Sequence, residues 1–256
     1  MLTDALRSEL IKLRALRTTY ALGPVSVLAM AGTAVLWLDG ARREAGAGAA
    51  PSAIIESAAF AFGSGTLVSG VALAVFTALL VTTDLSSGTI NHSLLLLTRG
   101  RVFGAKLLLA LGAAMAVSLV GTLAVGLVAA VMLPGTLLGA LTTSGTWWLN
   151  LLGLTASHLL WACLGSTAGM VVKRQAPAVG VLLAVTLAVP VASATVAAIG
   201  GPTRWAEYLP SGLMQAATVT GSESMLSLSP GIASLGLLAW VVAVAAVGWL
   251  SFRRTA

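Results

Sequence analysis

The chain has 256 residues, 58% of them hydrophobic and 9% charged, with a mean hydropathy of +0.99 and a formal net charge of +6. Soluble domains carry about 25% charged residues, so this composition excludes a soluble globular protein and implies a membrane one. The single cysteine, Cys163, leaves no disulfide framework to build on.

Residues 1–19, "MLTDALRSELIKLRALRTT", spread charges through the segment and lack a cleavage site, unlike a signal peptide. Leu2, Leu6, Leu10, Leu13 and Leu16 recur every three or four positions, with Arg7, Lys12, Arg14 and Arg17 largely off that stripe. The pattern predicts an amphipathic helix lying at the membrane surface, its basic face toward anionic headgroups.

Six apolar stretches follow, each near the roughly 20 residues that a helix needs to cross the hydrocarbon. They are 20–38, 58–83, 107–133, 147–172, 178–199 and 231–252, and none contains Asp, Glu, Lys or Arg. They are too long and too uniform for the alternating strands of a membrane barrel. The predicted fold is an all-α integral membrane protein, one transmembrane domain over 1–256 with six transmembrane helices.

An even number of spans places both termini on one side, and the basic residues choose it. Arg7, Lys12, Arg14, Arg17, Arg99, Arg101, Lys106, Lys173, Arg174, Arg253 and Arg254 fall on that side, against Arg42, Arg43 and Arg204 on the other. Both termini are therefore expected in the cytoplasm. The excess of Arg over Lys, in a chain rich in Ala, Gly, Leu and Val, fits a GC-rich bacterial coding sequence and hence a bacterial inner membrane. Membrane orientation accounts for the basic pI, so no nucleic-acid partner is expected.

The connections differ in kind. The stretch between the first two spans is small, polar and Pro-containing, as in an exposed loop, whereas 134–146 is uncharged. "KRQAP" is so short that the spans on either side must be antiparallel neighbours. The external segment 200–230 contains "RWAEYLPSGLMQAAT", which predicts short interfacial helices broken at Pro210.

Segment 84–106, between spans two and three, is the most polar long stretch. A short helix from about Ser87 to Thr98 would put Ile90, Leu94 and Leu97 on one face, open to the membrane surface or to a protein groove. Asp84, Ser86 or Ser87 would cap its start, and Arg99 and Arg101 would suit its end.

Catalytic patterns are scarce. His158 sits within the fourth span and reads as a neutral histidine hydrogen-bonded to a neighbouring helix; His92 reads as a solvated or contact residue. "GRVFGAKL" lacks the Gly-Lys-Ser/Thr of a phosphate loop, since Ala105 and Leu107 flank Lys106. No metal site, catalytic residue or resident cofactor is expected. Spans without carboxylates argue against an ion-coupled transporter, so transport energy would come from a partner. Small residues in "GSGTLVSG" at 63–70, "GAAMA" at 112–116 and "GSTAG" at 165–169 allow close helix packing, within the chain or in a dimer.

In segment 84–106 an acidic residue, a Gly-Thr pair, an apolar stretch, two arginines and "AK" lead into the third span. This order resembles the coupling segment of ABC-2 type permeases, the membrane subunits of bacterial ABC exporters. "SELIKLRALRTTYAL" at 8–22 is similar to that family's N-terminal interfacial helix, and "YLPSGLMQAA" at 208–217 to its external segment before the last span. The family often has Glu where this chain has Asp84, and Pro ahead of the arginines where this chain reads Thr98-Arg99-Gly100-Arg101.

The resemblance implies a permease that pairs with a second copy or a similar subunit and binds a separate cytoplasmic ABC ATPase, which alone carries ATP and Mg. It implies that Asp84, Gly88, Thr89, Arg99 and Arg101 belong to the ATPase contact, with Gly88 giving close approach or a turn. Lipophilic or amphipathic cargo, such as a drug, antibiotic, lipid or peptide, suits spans with so few charges. The alternative is a non-transporting membrane scaffold, immunity or regulatory protein.

Overall fold

A computed structural model describes residues 2–15, 17–199, 204–218 and 228–255. Eleven α-helices and one 3-10 turn make up these residues, and no strand occurs among them. In chain order they are α1 (Leu2–Ala15), α2 (Arg17–Gly46), α3 (Pro51–Gly63), α4 (Thr66–Ser86), α5 (Thr89–Leu96) and α6 (Arg99–Met132). There follow α7 (Gly135–Thr143), α8 (Gly145–Val172), α9 (Gln175–Ala198), the turn Arg204–Tyr208, α10 (Pro210–Thr218) and α11 (Pro230–Thr255).

Five segments are long and apolar enough to cross a bilayer: α2, α3 with α4, α6, α8 and α11. The stretch 178–199, expected as a further span, falls in α9, whose apolar run among the described residues is Gln175–Ala188. The second span is not one helix. It breaks between Gly63 and Thr66, where hydropathy alone gives no warning because the apolar run continues through the break. A side chain at Gly65 would strike the backbone of Met30 on α2, and one at Gly63 would strike Thr218 on α10. The break thus sits where two other helices come closest.

Helix α8 is the hub, packing on α3, α4, α6, α9, α10 and α11. In lipid, apolar burial gives helices little reason to associate, so close packing of small residues has to do so. A Cβ at Gly165 would overlap the Ala74 carbonyl and the Thr77 hydroxyl of α4, and one at Gly153 the Ala217 carbonyl of α10. The "GSTAG" glycines are therefore used inside the chain: Gly169 likewise faces Ala78 and Val81 of α4. Around this hub α2, α6 and α11 leave most of their apolar surface outward, including Leu28, Leu36, Leu119, Leu127 and Val242.

The uncharged stretch 134–146 forms α7, and the segment ahead of the last span forms the 3-10 turn and α10, divided at Pro210 as its sequence predicts. Trp240 of α11 donates its indole N–H to the Tyr208 carbonyl, pinning that segment to the last helix. At the opposite end of the bundle, α1, α5, the end of α4, the start of α6, the α8–α9 turn and the end of α11 gather, linked by Gln175–Thr83 and Ser251–Met170 hydrogen bonds.

Candidate functional site: a charge knot at the root of a short helix

The gathered end contains the most concentrated chemistry of the molecule. Lys106, in the second turn of α6, is fully buried, with 0% of its surface exposed. Its ammonium lies 2.9 Å from Glu9 Oε2 and is paired with Asp84 Oδ2. Lys12 completes the group, 2.8 Å from Glu9 Oε1 and 3.0 Å from the same Asp84 oxygen. Two cations and two carboxylates thus alternate in a closed network that is electrically neutral as a whole, which is what makes burial of Lys106 tolerable. The remaining Asp84 oxygen accepts from the Thr89 hydroxyl at 3.1 Å.

Four helices meet through these side chains: α1 supplies Glu9 and Lys12, α4 supplies Asp84, α5 begins with Thr89, and α6 supplies Lys106. Burial by itself would lower the Lys12 pKa, but the hydrogen bonds and charges of Glu9 and Asp84 outweigh it and hold the ammonium above its ordinary value of 10.5. On α1, Leu10 and Ile11 point away from the chain while Glu9 turns inward. Helix α1 therefore turns Leu10 and Ile11 outward and grips the protein through Glu9 and Lys12.

The short helix differs in detail from its sequence expectation. It spans Thr89–Leu96, because α4 runs on through Asp84 to Ser86 and Thr98 serves as the N-cap of α6. Asp84 therefore lies in the last turn of α4 and does not cap α5. Arg99 and Arg101 open α6 and do not close α5. The missing stop signal explains the shift: nothing at 97–101 prevents the third span from starting early, so its helix extends well beyond its apolar part. Gly88 makes the turn, with φ +72, and a Cβ there would meet nothing within 4 Å. Within this chain Gly88 serves the left-handed turn.

The apolar stripe of α5 is not open either. Ile90 is buried with Val81, Val102, Met170 and Phe252, and Leu94 and Leu97 pack against the same cluster. Leu95, 82% exposed, points the other way. Phe103 of α6 packs at a tilt against Trp249 and Phe252 of α11, with ring centroids 5.2 and 6.0 Å apart, closing the floor beneath α5.

Of the residues implied at a partner contact, Thr89, Arg99 and Arg101 are exposed and Gly88 is half-buried, whereas Asp84 is buried with its carboxylate engaged inside the chain. Of the surface-helix cations, Arg7 is exposed and Lys12 belongs to the knot; the side chains of Arg14, Arg17 and His92 lie outside the described set. Sequence inspection missed Glu9 and Lys106 as functional residues. The only available signal was an acidic residue on the inner face of an otherwise leucine-striped helix.

A second polar centre lies within the bundle. His158 of α8 is bracketed by Ser69 of α4, 2.7 Å from Nε2, and Ser118 of α6, 2.9 Å from Nδ1. It ties three spans together, as a neutral histidine with neighbours on other helices should. Among the described residues no group of three or more His, Cys, Asp or Glu could hold a metal ion.

Compared with known proteins, the chain matches no family model and no curated sequence.

Proposed function

We propose that this chain is the membrane subunit of an ATP-driven exporter of the ABC-2 type, working with a separate cytoplasmic ABC ATPase and a second permease copy or similar subunit. It would lie in a bacterial inner membrane with α9 as an additional span, six in all, and both termini in the cytoplasm. At 24 residues α9 is about 36 Å long, sufficient for the hydrocarbon core. The proposed cargo is lipophilic or amphipathic.

The observation that carries this reading is the charge knot. A short helix with an exposed outer side is rooted, through Thr89, Asp84 and Lys106, in two apolar spans and in the surface helix α1. A push on α5 from outside the bilayer therefore reaches all three together, which a force-receiving element requires.

The arginines support it further. Arg99 and Arg101 occupy the first turn of α6, where the positive end of the helix dipole disfavours cations by about 0.3–1 kcal/mol each. Arg99 also donates to the Arg253 carbonyl of α11 at 3.4 Å, and the pair presents two cations beside α5 to an anionic partner surface.

Co-purification with a co-expressed ABC ATPase from the same genome tests the proposal. Wild type is expected to retain the ATPase, and Arg99→Glu with Arg101→Glu to release it at equal membrane insertion. Failure of the wild type to recover any ATPase would favour the non-transporting scaffold.

A further inference from the structure

At the same end of the bundle, a cavity of about 410 Å³ opens between the ends of α8 and α11. Val171, Val247 and Leu250 form its apolar side, while Lys173, Arg254 and the Ser251 hydroxyl form its polar side. No acidic residue lines it, and neither Lys173 nor Arg254 is in an ion pair among the described residues. Val171 and Val247 are half exposed on the outward faces of their helices, so the cavity continues onto surface of the kind that faces lipid tails.

We infer that this cavity is a binding site for an anionic phospholipid, its phosphate held by Lys173 and Arg254 and an acyl chain lying along Val171, Val247 and Leu250. Apolar residues below and unpaired cations above match the two halves of such a molecule, and basic pockets between membrane helices hold acidic headgroups in this way. Two helix C-termini meet here, and their carbonyls repel anions. Affinity for phosphate therefore comes from the side chains alone.

The backbone at Lys173 points the same way. Lys173 ends α8 in the left-handed conformation, φ 60, with its N–H bonded to the Gly169 carbonyl at 3.0 Å. Glycine is the residue that makes this helix ending without strain. A lysine there costs the chain stability and places an ammonium at the mouth of the cavity. The site does not depend on coupling to an ATPase.

Native mass spectrometry of the delipidated full chain, titrated with phosphatidylglycerol or phosphatidylcholine, tests the inference. Phosphatidylglycerol is expected to bind preferentially. Lys173→Gln with Arg254→Gln should weaken it about 30-fold, roughly fivefold for each cation. Lys173→Arg should retain binding. Lys173→Gly should lose about fivefold while melting no lower than wild type, which separates the charge from the helix ending. Arg42→Gln, in the cavity at the opposite end of the bundle, should change nothing. Equal binding of both lipids, or undiminished phosphatidylglycerol binding by the double variant, would overturn the proposal. Displacement of phosphatidylglycerol by inorganic phosphate would overturn the assignment to lipid.

Discussion

Lys106 and Glu9 lie 97 positions apart in the chain, yet their charged atoms stand 2.9 Å apart in the protein interior. This pair joins the surface helix to the third span. Removing this cation leaves Glu9 and Asp84 to share Lys12 alone, one negative charge in excess, and an uncompensated buried charge costs about 3–5 kcal/mol. Lys106→Met should therefore sharply lower the melting temperature of the detergent-solubilised protein. Adding Asp84→Asn, which leaves Lys12 paired with Glu9 in a neutral group, should recover most of the loss. A Lys106→Met protein that melts like wild type would mean that the knot does not form.

Lys12 belongs to the same knot from its half-exposed edge, and Lys12→Met should cost less than Lys106→Met. Its pKa is raised above 10.5, so the stabilisation from its charge is fully present below that value and fades as pH rises through the higher folded-state value. The difference in melting temperature between wild type and Lys12→Met should stay constant through neutral pH and shrink only in strong alkali. Thermal melts across that range check it.

Helix α8 offers a paired test of close packing. Gly165→Ala drives a methyl group into the Ala74 carbonyl, and such overpacking costs about 1–3 kcal/mol. Gly112→Ala meets nothing within 4 Å in the middle of α6, and replacing a helical glycine there should stabilise by about 0.5–1 kcal/mol. Opposite shifts in unfolding midpoint are expected from two chemically identical substitutions.

His158 should behave as a structural link between three helices. Hydrogen bonds between side chains in membrane proteins average about 0.6 kcal/mol, so His158→Leu should cost on the order of 1 kcal/mol through Ser69 and Ser118. Ser118→Ala should cost about half of that in wild type and almost nothing in the His158→Leu background. A double-mutant cycle on unfolding free energy reads the coupling.

The membrane character of the chain, most of its long helices, the helix α1 and the broken segment at Pro210 follow from hydropathy, periodicity and turn residues. The break at Gly63–Gly65 does not, because it is dictated by the approach of Met30 and Thr218 from other helices while the local sequence stays apolar. The turn at Gly88, one of the two roles its sequence position suggested, shows only in its backbone angle. Lys106 looked like one more residue of the basic side, since nothing in its neighbourhood signals a buried pair. Its partners come from residues 9 and 84, and long-range charge complementarity leaves no local pattern to read.

Hydrogen–deuterium exchange on the chain in complex with the proposed ABC ATPase, with and without ATP, tests most directly whether the knot passes force from α5 to α1 and the spans. Protection over 84–106 and over 2–15 should change together on ATP binding, and Lys106→Met should confine the change to 84–106. A complex in which ATP alters neither segment, or alters α5 while α1 never follows even in wild type, would contradict the account.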